Sequence, residues 1–164
     1  KVTGMPFQDA LSREIWGRMG AEADASIYAA RKGIPLTSGG LLANPRDVAR
    51  FGLLFTHSRD VVSDVPIFSD RYIETILHGG DPALLQNRRW PVPVSEGVRH
   101  NVYQWDAVFT NDDIYKGGWA GQGLLINPRR DLVAVWVGYL EDDGRERQAP
   151  LEVLRQVLDG VFGE

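Results

Sequence analysis

The chain of 164 residues contains no cysteine. This absence excludes disulfide bonds, thiolate metal sites and a cysteine nucleophile. It does not decide the localisation, because periplasmic, secreted and cytoplasmic proteins can all lack cysteine. The sequence therefore leaves the compartment open.

Positive charge and long apolar runs are also scarce. There are only three lysines, the net charge is −4, and the arginines are scattered, with adjacent pairs at Arg88-Arg89 and Arg129-Arg130 but no patch. This balance disfavours a nucleic-acid partner. No apolar run is long enough to span a membrane, so we expect no membrane segment in this chain. The hydrophobic content of 43% is ordinary for a globular protein and suffices for one domain with a core.

The apolar pattern predicts helices first, then an antiparallel meander, then a last helix. Residues 1–80 are expected to be mainly helical, residues 101–140 to form antiparallel strands, and residues 149–162 to form a C-terminal helix. This order predicts an α+β fold rather than alternating βαβ units. Predicted helices run from Pro6 to Gly20, from the Asn44 cap to about His57, and from Ser69 to Gly79. Residues 82–100 are expected to form a long loop. Predicted strands cover 102–109, 114–115, 121–126 and 132–139.

Glycines and a lysine are concentrated at residues 115–123, Tyr-Lys-Gly-Gly-Trp-Ala-Gly-Gln-Gly. The pattern predicts a glycine-rich strand, a hairpin turn at 127–131 and a buried partner strand over 132–137. Glycine in a strand marks a place where another group approaches the backbone closely. A lysine beside such a backbone suggests an anion or oxyanion site. From the spacing alone, a bulged edge strand is the favoured interpretation.

Three segments carry a family resemblance: residues 2–7 with 15–21, residues 38–52, and residues 116–122 with Pro128 and 131–133. They resemble the C-terminal half of the serine β-lactamase-like superfamily, and within it the class C β-lactamase, esterase and 6-aminohexanoate-dimer hydrolase group. The resemblance implies the C-terminal portion of a β-lactamase/transpeptidase-like fold, in which an antiparallel sheet packs with helices.

The resemblance also implies roles for individual residues. A family serine attacks an ester or amide carbonyl, and the third active-site motif lies on an edge strand beside it. Lys116 is then expected near the substrate carboxylate or the catalytic tyrosine, and Gly117 and Gly118 are expected to leave room for substrate. The backbone N–H of Trp119 is the implied second oxyanion donor.

Two aromatic residues precede this motif. Tyr103 and Trp105 are predicted to alternate with Gln104 on one strand, either as core residues or as a lining of the cleft. No cofactor is expected. The three histidines, His57, His78 and His100, are too dispersed along the sequence to indicate a metal site.

The nucleophile is missing from this sequence. No serine is followed three residues later by lysine, no tyrosine is followed two residues later by asparagine, and no Gly-x-Ser-x-Gly stretch occurs. In the family these motifs lie upstream, so residues 1–164 are predicted to be a single C-terminal fragment that is inactive alone. Its expected partners are the rest of the same protein and a small ester, amide, β-lactam or peptide-like substrate. Such a fragment should expose a sheet edge and apolar surface.

Two alternatives stay open. One is a non-catalytic, penicillin-binding-like module that binds a ligand or peptide. The other is a self-standing α+β domain with an accidental likeness. Residues upstream of Lys1 discriminate among these hypotheses, because only a hydrolase needs the serine and tyrosine motifs there.

Overall fold

The computed structural model describes residues 3–85, 97–138 and 149–163. The described helices are α1 (Phe7–Leu11), α2 (Pro45–Leu53), α3 (Asp70–His78) and α4 (Ala149–Phe162). A π-helical segment follows α1 at Ser12–Trp16, and 3₁₀ turns occur at Arg31–Gly33, His57–Val61, Pro82–Leu85 and Trp119–Gly121. The strands are β1 (Ser26–Ile27), β2 (Leu41–Leu42), β3 (Val98–Val102), β4 (Trp105–Phe109), β5 (Ile114–Gly117), β6 (Gly123–Asn127) and β7 (Leu132–Trp136).

The main sheet is an antiparallel meander. Its strand order is β3-β4-β5-β6-β7, so each strand pairs with its neighbour along the chain, while β1 and β2 form a separate two-stranded ribbon. The predicted α+β class is confirmed. Within the described residues, β3 and β7 form the edges of this sheet and β5 is its central strand.

Apolar side chains cover both faces of the sheet. Met19, Phe55 and Ile76 from the helical part pack with Leu124 and Ile126 on one face. On the other face, Leu125 packs with Leu151 of α4. Successive residues of β6 therefore point to opposite faces, as the pleat of a strand requires. The sheet lies between α4 and the helices that precede it.

Helix positions agree with the sequence prediction, but some helix types and ends differ. The first helix changes to π-helical geometry at Ser12 and ends before Gly20, whose φ of 62° suits glycine. Helix α2 stops at Leu53 rather than near His57, because the Thr56 side chain caps a separate 3₁₀ turn. The caps at Asn44 and Ser69 are confirmed: each side chain accepts a hydrogen bond from the backbone of its own helix.

Two predictions about strands are wrong. Residues 102–109 do not form one strand, because Tyr103 and Gln104 both have positive φ, 47° and 70°, and make the two-residue turn between β3 and β4. Strand β3 occupies part of the region expected to be loop, and residues 86–96 of that loop lie outside the described residues.

The glycine-rich strand is the second wrong prediction. Within residues 115–123, the first three belong to β5 and Gly123 begins β6, so residues 118–122 connect the two strands and are not strand themselves. The lysine motif therefore lies at a strand end and in the turn that follows it.

A buried carboxylate joins α2 to the segment after the first helix. Asp47 is fully buried and accepts hydrogen bonds from the backbone N–H groups of Glu22 (2.8 Å) and Ala23 (3.1 Å). It also accepts from Asn44 Nδ2 at 2.7 Å and from Arg50 Nη1 at 3.1 Å. Burial alone would raise the pKa of Asp47, but these donors outweigh burial and hold that pKa below its usual 3.8.

Helix α4 is fixed on the sheet by a charged contact as well as by Leu151. Arg155 donates from Nε to Asp113 at 3.1 Å and stacks 3.9 Å above the Phe109 ring. The outward side of the same helix is apolar, with Val153, Val157 and Val161 exposed. In the described ranges, no helix is both long and apolar enough to cross a membrane.

Candidate active site

The candidate site lies where strand β5 ends. On one side, the pairing of β5 with β6 continues as far as Gly117 opposite Gly123, and the Gly118 N–H donates to the Gln122 carbonyl at 2.8 Å. On the other side, the pairing with β4 ends earlier, at Tyr115 opposite Ala107. The last residues of β5 therefore have backbone hydrogen bonds to β6, whereas on the β4 side a different group binds them.

That group is the carboxylate of Asp106. Its Oδ1 accepts from Lys116 Nζ at 2.9 Å, and its Oδ2 accepts from the Gly117 backbone N–H at 2.8 Å. One carboxylate thus binds a side chain and the backbone of consecutive residues. The pair is only partly buried, since 38% of the Lys116 side chain and 33% of the Asp106 side chain are exposed. Lys116 is therefore ion-paired at the rim of the sheet.

An irregularity in β4 explains why Asp106 faces β5. Trp105 and Val108 belong to the same buried cluster although they are three residues apart, whereas strict alternation would place them on opposite faces. The pairing of β3 with β4 also shifts register along its length. Such a bulge bends a strand and re-aims the side chain beside it. The only sequence signal for Asp106 was an acidic residue inside an otherwise apolar strand.

Tyr115 lies beneath the ion pair on the α4 face. It is buried and stacks on Trp136, with ring centroids 5.9 Å apart. Burial, together with the nearby charge of Asp106, raises the pKa of Tyr115 to about 12. Its hydroxyl is therefore protonated at neutral pH and is no general base there.

Each of the two glycines of the motif lies close to atoms of the protein, although Gly118 is exposed and Gly117 is half-buried. A Cβ on Gly117 would lie 2.7 Å from the Tyr115 hydroxyl, and a Cβ on Gly118 would lie 2.9 Å from Cβ of Gln122. These contacts explain why small residues occupy both positions. Room for substrate at Gly117 and Gly118 stays a prediction.

Trp119 begins the 3₁₀ turn that follows Gly118, and 81% of this residue is exposed. Its side chain therefore lies at the surface beside the strand end, and the oxyanion role of its N–H stays a prediction.

Tyr103 and Trp105 do not share a strand face as expected. Trp105 is buried and meets the Phe55 ring edge-on at 5.4 Å, so it is a core residue. Tyr103 is exposed and stacks on Tyr72 at 5.5 Å. Because β4 begins where the antiparallel β5 ends, the turn that carries Tyr103 lies at the Lys116 end of the sheet. Substrate contacts by either aromatic residue stay a prediction.

A cleft of about 350 Å³ lies at the opposite end of the sheet, where β6 turns into β7. Phe55, Ile73 and Leu77 are among its apolar lining residues, and Arg59 and Asp70 also line it and pair with each other at 2.7 Å. Lys116 is not among the residues that line it. The motif chemistry, rather than this cleft, defines the candidate site.

Metal binding finds no support in the part of the chain that the structure describes. No group of three histidine, aspartate or glutamate side chains there is arranged to hold an ion. His100 is buried and donates a ring N–H to the Ile76 carbonyl at 2.8 Å, which is a structural contact.

The α+β fold matches that of a 6-aminohexanoate-dimer hydrolase-like protein, as comparison with solved structures shows. The chain is 27% identical over 135 residues to a 6-aminohexanoate-dimer hydrolase from Paenarthrobacter ureafaciens. Its structure matches, with a TM-score of 0.69 and 23% identity, a protein from Bacillus anthracis proposed to be a 6-aminohexanoate-dimer hydrolase. These similarities confirm the resemblance that the sequence motifs indicated. No protein-family model matches the chain.

The alignments cover most of this chain but only part of each relative. The alignments cover 82% and 92% of this chain but only 34% of the Paenarthrobacter protein and 37% of the Bacillus protein. The chain therefore spans about a third of the length of these relatives.

Proposed function

We propose that this chain supplies the third active-site motif of a serine hydrolase that transfers an acyl group from an ester, amide or β-lactam. The observation that carries the proposal is the end of β5, where Lys116 is held beside two glycines and the turn that begins at Trp119. The relative from Paenarthrobacter is named for hydrolysis of a 6-aminohexanoate dimer, which favours a small amide as the substrate class.

In this proposal Lys116 provides positive charge or a hydrogen bond to the substrate or to the catalytic tyrosine. The backbone N–H of Trp119 stabilises the oxyanion that forms as the carbonyl is attacked. A donor fixed by a strand end and a short turn needs little reorganisation when charge develops, which is the main advantage of such sites. Gly118 permits the close turn against Gln122 that sets the direction of the Trp119 N–H.

The serine nucleophile, its lysine and its tyrosine are proposed to come from residues other than these 164. The sequence contains no Ser-x-x-Lys and no Tyr-x-Asn motif. Residues 1–164 alone should therefore give no burst of p-nitrophenol from p-nitrophenyl acetate. A burst from this polypeptide by itself would contradict the proposed division of the site.

Lys116→Met is expected to slow acylation about 100-fold, in line with the loss of one donor that acts on transition-state charge. The measurement uses the complete product of the gene that encodes this chain, labelled with a fluorophosphonate or penicillin probe and followed by mass spectrometry. Lys32→Met is the matched control, since Lys32 is an exposed lysine in the 3₁₀ turn at Arg31–Gly33.

Two results would count against the proposal. One is a complete protein that takes up neither probe, which instead favours a ligand-binding module without catalysis. The other is an unchanged labelling rate in Lys116→Met.

A further inference from the structure

We propose that Asp106 is a positioning residue for acyl transfer, acting through Lys116 and through the backbone of the strand end. This inference rests on the proposed function and adds to it a residue that lies outside the three motif segments. The carboxylate accepts hydrogen bonds from the Lys116 ammonium group and from the Gly117 backbone N–H. The first contact orients the Lys116 side chain, and the second orients the turn that follows Gly117.

The first step of the argument concerns the backbone. The β4 ladder ends at Ala107, so the Gly117 N–H lies beyond the last paired residues of that flank. Asp106 Oδ2 accepts this N–H at 2.8 Å and takes the place of a strand carbonyl. A hydrogen bond to an ionised acceptor is about twice as strong as a neutral one. The carboxylate thereby fixes the strand immediately before Gly118 and Trp119.

The second step concerns the ammonium group. Lysine carries its charge on a flexible stem with many rotamers. Asp106 Oδ1, 2.9 Å from Nζ, selects the rotamers that bring this charge toward the neighbouring strand β4. The Asp106 carboxylate is itself confined, because the bulge in β4 aims it and Gly117 lies against it.

The third step separates positioning from stability. About a third of each side chain in the Lys116–Asp106 pair is exposed, and exposed pairs contribute little to folding. Catalysis is far more sensitive, since a misplacement of about 1 Å can cost about 100-fold in rate. Loss of Asp106 should therefore lower the reaction rate with little change in thermal stability.

The test is a double-mutant cycle on the complete gene product, with p-nitrophenyl acetate as substrate. Asp106→Asn keeps an oxygen for the Gly117 N–H but turns an amide N–H₂ toward the ammonium of Lys116. We expect kcat to fall between about tenfold and about a hundredfold with KM unchanged. In a Lys116→Met background, Asp106→Asn should change kcat less than about twofold. In the protein that retains Lys116, Asp106→Glu keeps the carboxylate and should therefore have a kcat between those of Asp106→Asn and the wild type.

Asp159→Asn is the matched control, because Asp159 also pairs with a cation, Arg130, on the surface of α4. Its rate should equal that of the wild type. If the wild type is active and Asp106→Asn has the same kcat, the positioning role of Asp106 is overturned but the proposed function is not. A loss in Asp106→Asn that persists undiminished without Lys116 also overturns this role, because this variant keeps an acceptor for the Gly117 N–H and should act only through the Lys116 ammonium. A wild-type protein without acyl transfer overturns the proposed function, and this role with it.

Discussion

Replacement of Asp47 by alanine is expected to lower the free energy of unfolding by about 3 kcal/mol. The substitution leaves the backbone N–H groups of Glu22 and Ala23, and the side chains of Asn44 and Arg50, without the acceptor that they share. Donors left unpaired in a buried place carry the full cost of their lost hydration. For a chain of this size, the melting temperature should fall by roughly 10 °C.

Chemical denaturation at neutral pH measures this loss, and Asp70→Ala is the control. Asp70 pairs with Arg59 but its side chain is 81% exposed, so its removal should cost less than about 1 kcal/mol. Equal losses in the two variants would show that the Asp47 network does not hold the fold together.

The same network gives a pH dependence with a definite sign. The pKa of Asp47 is held below its usual 3.8 in the folded protein, so unfolding raises that pKa. The stabilisation is fully present above the ordinary carboxyl pKa and is lost as pH falls through the lower value of the folded state. The stability difference between wild type and Asp47→Ala should therefore shrink below about pH 4.

Gly123→Ala is expected to destabilise the protein by about 3 kcal/mol, at the upper end of the usual cost of overpacking. A Cβ at this position would lie 2.6 Å from Cη2 of Trp136 and closer still to Cζ2. Strand β6 is buried along its length, so the ring has to move rather than the strand. Moving Trp136 breaks its stacking on Tyr115, directly beneath the candidate site.

The change should appear in the near-ultraviolet circular dichroism of the aromatic side chains, together with a lower denaturation midpoint. Gly160→Ala is the matched control, because no atom lies within 4 Å of a Cβ at that position of α4. Replacing an exposed helical glycine by alanine should stabilise the protein by about 1 kcal/mol. A native spectrum for Gly123→Ala would mean that the sheet accommodates the extra methyl group.

Features set by adjacent residues could be predicted from the sequence. Asn44 followed by proline, and Ser69 before an apolar repeat, indicated helix starts because a cap depends on residues within one turn. The two apolar runs of β6 and β7, separated by the turn residues 127–131, likewise indicated the hairpin. The turn at Tyr103 and Gln104 could not be predicted, since neither residue is among the glycine, asparagine and aspartate that usually accept positive φ.

Features set by distant residues were missed for a different reason. The burial of Asp47 depends on Glu22 and Ala23, which are remote in the chain, so the residues next to Asp47 do not indicate it. The role of Asp106 depends on a bulge in β4, which turns the Asp106 side chain toward the neighbouring strand β5. The glycine-rich stretch was predicted as strand because glycine is compatible with both a bulged strand and a turn.

The meander order of the main sheet has a consequence for how the chain folds. Every pairing in this sheet joins strands that are neighbours along the chain, so the sheet can form hairpin by hairpin without closing a long loop. Single hairpins form within about 1–10 μs. The long-range steps are the docking of α2, which precedes the sheet in the chain, and of α4, which follows it, onto opposite faces of the sheet. We therefore expect helix docking, rather than strand pairing, to set the folding rate.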